Sequence, residues 1–174
     1  LGEGFWLMQL DWAGRIVLVL FVAGSVSSFA QGPGLSAEDA EWKEREVQLP
    51  PFPQLENLVR VQVSGATRFE FFVDVSSVSV GTDGVVRYSL VARSPFGGEN
   101  ISFEGIRCRT RERKIYAIGH GADRSWSPSR TSDWIDFRVA RINTYHEALA
   151  SQYFCQDRST VPDSSRAIYL LKRG

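Results

Sequence analysis

The sequence predicts an α+β fold: a twisted antiparallel β-sheet of about five strands with one C-terminal helix packed on it and one disulfide. Three observations carry this. From Leu58 to Ile118, short apolar runs alternate with polar residues at a period of two and are separated by Gly, Pro and Asp-Gly punctuation, the pattern of hairpin-connected strands. After Asn143 the period becomes helical, with Tyr145, Ala148, Leu149, Gln152, Tyr153 and Cys155 toward one side. The two cysteines, Cys108 and Cys155, stand on an expected strand and on the end of that helix.

The chain opens on an address. Arg15 precedes an apolar run from Ile16 to Gly24, and Ser28 and Ala30 occupy the small-residue positions of a cleavage site before Gln31, so residues 1–30 read as a secretory signal peptide. The run is nearer ten residues than the roughly twenty of a membrane span, so a retained anchor is the lesser alternative and no stable membrane span is expected beyond Ala30. In an oxidising compartment Cys108 and Cys155 should pair; the alternative is two separately buried thiols. Closing a loop of about 48 residues would contribute roughly 4 kcal/mol on the chain-entropy account. Basic and acidic residues balance at 20 each, far from the footprint of a nucleic-acid binder.

Residues 31–54 read as a Pro-rich N-terminal arm. Ser36 is placed to cap a short helix in the charged run that reaches Glu46, and Pro50-Pro51-Phe52-Pro53 ends it as an extended, mobile linker. Residues 55–157 form the expected domain. Leu58 to Val63 is its first strand, and Phe69 to Val75 a second that points Phe69, Phe71, Val73 and Val75 inward and Glu70, Phe72 and Asp74 outward. Val78 to Val80 extends it to the hairpin signal Asp83-Gly84. Val85 to Arg93 buries Val86, Tyr88, Leu90 and Ala92, with Arg87, Ser89 and Arg93 outward, and Pro95 to Gly98 makes the next turn. Ile101 and Phe103, then Ile106 and Cys108, change phase across Gly105, which suggests a β-bulge there. A last strand runs from about Lys114 to Ile118, residues 120–142 are loop-like, and Asn143 caps the helix from Thr144 to about Cys155. Residues 158–174 are an edge strand or a tail.

Cys108, Lys114-Ile115-Tyr116-Ala117, Trp126, Trp134, and Asn143 with Tyr153-Phe154-Cys155 resemble, in order and spacing, the CNP1-like family of exported proteins of Gram-negative bacteria. The resemblance covers roughly residues 40–157 and departs at Arg124-Ser125, where the family carries a glycine ahead of the first tryptophan. It implies a periplasmic address and supports the domain limits. It brings no catalytic residue and no cofactor.

Candidate sites are few. Arg107, Arg109, Arg111 and Arg113, at two-residue spacing, would share one face of an extended strand, with Arg87 and Arg93 beside them: a cationic face for phosphate, lipid A or an acidic partner. The alternative is a solvated face paired with Glu70, Asp74 and Glu104. Arg124, Trp126 and Trp134 form a second candidate, stacking chemistry for sugars or peptides, unless the tryptophans plug the sheet end. His120 with Asp123 is a weaker polar site, against a plain turn histidine, and His146 reads as a partly exposed helix residue. No G-x-S-x-G elbow, metal motif or phosphate loop is present, so neither metal nor cofactor is expected. The expectation is a periplasmic, non-catalytic binding or interaction module whose partner is another envelope protein or an anionic envelope component. An envelope hydrolase or transferase using His120 and Asp123, or a structural envelope protein, are the alternatives.

Overall fold

The computed structural model describes residues 41–63, 67–139 and 144–174. The expected signal peptide, Ser36 cap and Asn143 cap lie outside them. A 3-10 turn at Leu55–Asn57 leads into an antiparallel meander of β1 (Leu58–Val61), β2 (Glu70–Val80), β3 (Val85–Arg93), β4 (Glu99–Arg107), β5 (Glu112–His120) and β6 (Ser125–Pro128). The short β7 (Ile135–Asp136) joins the free edge of β5, so the sheet has seven strands. Helix α1 (Thr144–Leu149) continues as a π-helical segment, Ala150–Phe154. A small hairpin, β8 (Cys155–Gln156) and β9 (Ser159–Thr160), then leads to helix α2 (Ser164–Arg173). This is the predicted α+β class.

The hairpin signals hold. Gly84, with φ 74°, closes the β2–β3 turn, and Gly97, with φ 84°, closes β3–β4. Both conformations cost a side-chain-bearing residue more than glycine. The disulfide forms between Cys108 and Cys155, with Cα atoms 5.6 Å apart.

The largest departure from expectation is that the sheet is covered on both sides. Val86, Tyr88, Leu90 and Ile106 face α1, the π segment and α2, and pack with Leu149, Phe154 and Leu171 in the main core. The opposite face, expected to be solvated, lies under the arm. Every residue from Val85 to Ala92 is buried, Arg87 and Ser89 included, as are Asp74 and Glu104. Near-continuous burial along a strand is the signature of cover on both faces.

Two-sided cover also explains the phase change at Gly105. Pairing of β3 with β4 runs unbroken from Val85↔Arg107 to Arg93↔Glu99, so Gly105 is no bulge. Ile101 and Phe103 belong to one face, and Ile106 to the other. The irregularity lies instead between β4 and β5, where Phe103 pairs with Ala117 and Glu104 with Ile115, leaving Tyr116 as the extra residue. Gly105 makes room for it: a Cβ there would lie 2.7 Å from the Tyr116 hydroxyl oxygen.

Other expectations need correction. Phe69 is 39% exposed rather than core. Residues 41–46 form no helix; burial alternates from Glu41 to Arg45, with Trp42 and Glu44 turned inward and Glu41, Lys43 and Arg45 outward, the period of extended chain. The π segment shifts the helix face, so Phe154 is buried and Gln152 exposed, and His146 is fully buried. The C-terminal segment is α2, neither edge strand nor tail. Asp163 caps it by accepting from the Arg166 N–H at 2.8 Å, Ala167 and Leu171 face the core, and Lys172 and Arg173 complement its C-terminal end.

Candidate functional site: the arm-covered face

The arm crosses the sheet in an irregular, extended conformation and is held by side chains. Among the described residues, no backbone-to-backbone hydrogen bond joins residues 41–53 to a strand. The first contact centres on Trp42 and Glu44. The Glu44 carboxylate accepts from Lys114 Nζ at 2.7 Å, the Tyr116 hydroxyl at 2.6 Å and Trp134 Nε1 at 3.3 Å. Arg87 approaches the same carboxylate at 3.7 Å while pairing with Asp83 at 2.6 Å. Trp42 donates its indole N–H to the Asp83 carbonyl at 2.8 Å, meets Trp134 edge to face at 5.7 Å, and stacks under the Arg107 guanidinium at 4.0 Å.

The second contact centres on Pro50 to Pro53. Trp126 Nε1 donates to the Pro50 carbonyl at 3.0 Å, Phe52 packs on the Trp126 ring at 5.2 Å, and the Arg124 guanidinium lies 5.5 Å over Phe52. Gly119 allows this approach, since a Cβ there would stand 3.0 Å from the Phe52 ring and 2.6 Å from Ile101.

Burial alone would raise the Glu44 pKa, but hydrogen bonds from Lys114 and Tyr116 and the Lys114 charge outweigh it and hold the carboxyl below its ordinary value of 4.5. Asp83 is likewise held below 3.8, burial being outweighed by its bond to Arg87. Burial and the bond to Glu44 push the Tyr116 phenol far up, so it stays a donor.

The predicted site residues thus scatter and regroup. Arg107 ends β4, Arg109 and Arg111 lie exposed in the four-residue β4–β5 turn, and Arg113 stands on β5 opposite Ile106, facing the helix side. The single strand carrying all four does not exist, because the chain reverses between Cys108 and Arg111, with Arg111 at φ 59°. Arg93 pairs with Glu99 at 2.6 Å beside an open cleft of about 370 Å³, where Arg60 also pairs with Glu70 at 3.0 Å. In contrast, Arg87, Arg107, Arg124, Trp126 and Trp134 come together on one face, and what they hold is the chain's own arm. Lys114, Tyr116 and the arm residues Trp42, Glu44 and Phe52 complete the site. Sequence reasoning missed them as site residues, although the two-residue spacing of Trp42 and Glu44 was a signal.

His120 and Asp123 do not combine. His120 Nε2 lies 2.8 Å from the Ser127 hydroxyl, whereas Asp123 accepts from the Ser125 hydroxyl at 2.9 Å, a bond that holds its carboxyl below the ordinary value. The pair sits on an exposed hairpin, and the imidazole nitrogen meets the Ser127 hydroxyl rather than the carboxylate a triad would need. His146 instead meets Glu104 at 2.9 Å in the main core, where Glu104 also accepts from Ser102, Tyr88 and Tyr145. Burial would raise the Glu104 pKa; the His146 partner and these donors hold it below 4.5. Among the described residues no group of three or more His, Cys, Asp or Glu is placed to hold a metal, and no helix is long and apolar enough to cross a membrane.

Comparison with known proteins adds the family. The CNP1-like family model matches residues 37–172, spanning the arm, the sheet and both helices. "Cryptic neisserial protein 1" of Neisseria gonorrhoeae (strain ATCC 700825 / FA 1090) is 26% identical over 132 residues, 67% of this chain and 64% of that protein, so the chain spans a little under two thirds of the relative it matches. No solved structure matches. The family match covers more than half of the chain, and the protein belongs to the CNP1-like family.

Proposed function

We propose that the protein is a periplasmic, non-catalytic interaction module of the bacterial envelope, and that the arm-covered face is its contact surface. The observation that carries this reading is the gathering of Arg87, Arg107, Lys114, Tyr116, Trp126 and Trp134 around an extended segment. Arginine, tyrosine and tryptophan are the side chains enriched at binding hot spots, and here they engage a peptide through rings, guanidinium groups and a carboxylate. The signal-like leader and the disulfide support an exported setting.

The test is capture of partners from cross-linked envelopes with two variants as bait. Charge reversal on the face, Lys114→Glu with Arg124→Glu, should abolish a partner that wild type captures. Arg109→Glu with Arg111→Glu, in the β4–β5 turn, should retain it. Loss with the turn variant and retention with the face variant would move the contact surface to the turn and contradict the reading.

A further inference from the structure

We infer that the face under the arm is a receptor for extended peptide segments carrying an aromatic and an acidic residue two positions apart, and that Trp42 and Glu44 are its built-in, exchangeable occupants. The inference rests on the interaction-module reading above and names its ligand class: an acidic, aromatic-bearing segment of another protein.

Three features of the geometry lead there. First, recognition is of side chains. At a spacing of two in extended chain, Trp42 and Glu44 project to the same side, and each finds a complete set of partners. Lys43, between them, is exposed, so any residue is tolerated there.

Second, receptor and occupant differ in rigidity. Arg87 is set on β3, which pairs on both sides, and Lys114 and Tyr116 on β5, which pairs with β4. Among the described residues the arm makes no ladder hydrogen bond, and Pro50, Pro51 and Pro53 stand between it and β1. Side-chain contacts of this kind are exchanged for equivalent ones from a peptide without unfolding the sheet.

Third, the receptor holds a donor its occupant does not use, although Nη1 and Nη2 of Arg87 are bound to Asp83 at 3.2 and 2.6 Å. The Arg87 side chain is 8% exposed, its Nε is buried with no acceptor, and its Nη2 reaches Glu44 only at 3.7 Å. A buried guanidinium nitrogen without an acceptor calls for an explanation, and an additional acidic group in a competing segment supplies one. A peptide with a further acidic residue beside the aromatic position therefore competes with the arm by supplying an acceptor for the Arg87 Nε–H.

The experiment uses the full chain and, as probe, a fluorescein-labelled synthetic peptide with the sequence of residues 41–54. Fluorescence polarisation is read against wild type and against a loosened variant, Trp42→Ala with Glu44→Gln. The loosened variant should bind the probe at least 10-fold more tightly than wild type, whose own arm competes. Adding Lys114→Ala to that variant, or replacing the probe's glutamate at position 44 by glutamine, should weaken binding at least 10-fold. Equal affinity of wild type and loosened variant, or no uptake by either, would overturn the inference. So would loss of cooperative thermal unfolding in the loosened variant, since the arm would then be part of the core. Dimerisation of wild type without probe uptake would assign the face to a second copy, also overturning it. A partner captured from envelopes and lost with the Lys114→Glu, Arg124→Glu bait, together with no probe uptake, would remove this ligand class and leave the interaction-module reading standing.

Discussion

The two faces of this one sheet are closed by different physics. On the helix face, Val86, Leu90, Ile106, Leu149 and Phe154 make a continuous apolar core, clamped by the Cys108–Cys155 bridge. A polar centre lies within it, Glu104 with His146, Tyr88 and Ser102 buried and Tyr145 at its margin. On the arm face, cover comes from an irregular segment fastened by a carboxylate, three indole N–H groups and stacked guanidinium groups. Apolar burial is non-directional and accumulates with area, so the helix face carries stability. Half-buried charged and aromatic contacts contribute less each but are specific, so the arm face carries recognition.

The contrast orders the expected effects of mutation. Glu104→Ala should be the most damaging change, because it leaves the His146, Tyr88, Tyr145 and Ser102 groups without their shared acceptor; about 3–5 kcal/mol of unfolding free energy should be lost in urea melts. A loss under 1 kcal/mol would mean that the cluster is not the buried polar centre described. Cys108→Ser should follow, at roughly 2–5 kcal/mol, the usual result of removing a native bridge from a small domain. Thiol titration of denatured, unreduced wild type should find no free thiol. Glu44→Gln should cost only about 1 kcal/mol, since Lys114, Tyr116 and Trp134 retain a neutral acceptor in a partly solvated place.

Acid should blur this order in a defined direction. Glu44, Asp83 and Glu104 all have folded pKa values below their ordinary ones, so their contribution is complete above about pH 5 and declines as pH falls from the ordinary carboxylate range through the depressed values. Stability should therefore fall with decreasing pH below about 4.5, and less steeply in Glu44→Gln.

What the sequence made legible were local or pairwise constraints. Asp83-Gly84 and Gly97 mark turns that need left-handed backbone, and two cysteines in an oxidising setting pair. What it hid depends on partners far along the chain. Arg87, Asp74 and Glu104 read as outward because nothing near them in sequence announces Glu44, Gln54 or His146 as cover. The phase change at Gly105 is real, but it marks residues serving two buried faces. The arginine series misled because its turn lacks Gly or Pro, with Arg111 itself taking the positive φ. Helix α2 was announced by Asp163 and by Lys172-Arg173-Gly174, yet its ten residues bury only Ala167 and Leu171, too few to stand out as a periodic stripe. The candidate site was half legible: five of its side chains were named from sequence, while the occupant was taken for a linker.

Native-state hydrogen exchange tests most directly whether the two faces open independently. The amide of Arg45, bonded to the Asp83 carboxylate, should exchange through local opening at least 100-fold faster, after correction for intrinsic rates, than the Ser89 amide inside β3. Glu44→Gln should accelerate Arg45 without changing Ser89. Equal protection of the two amides, or acceleration of both by Glu44→Gln, would show arm and core opening as one unit and contradict the division between the faces.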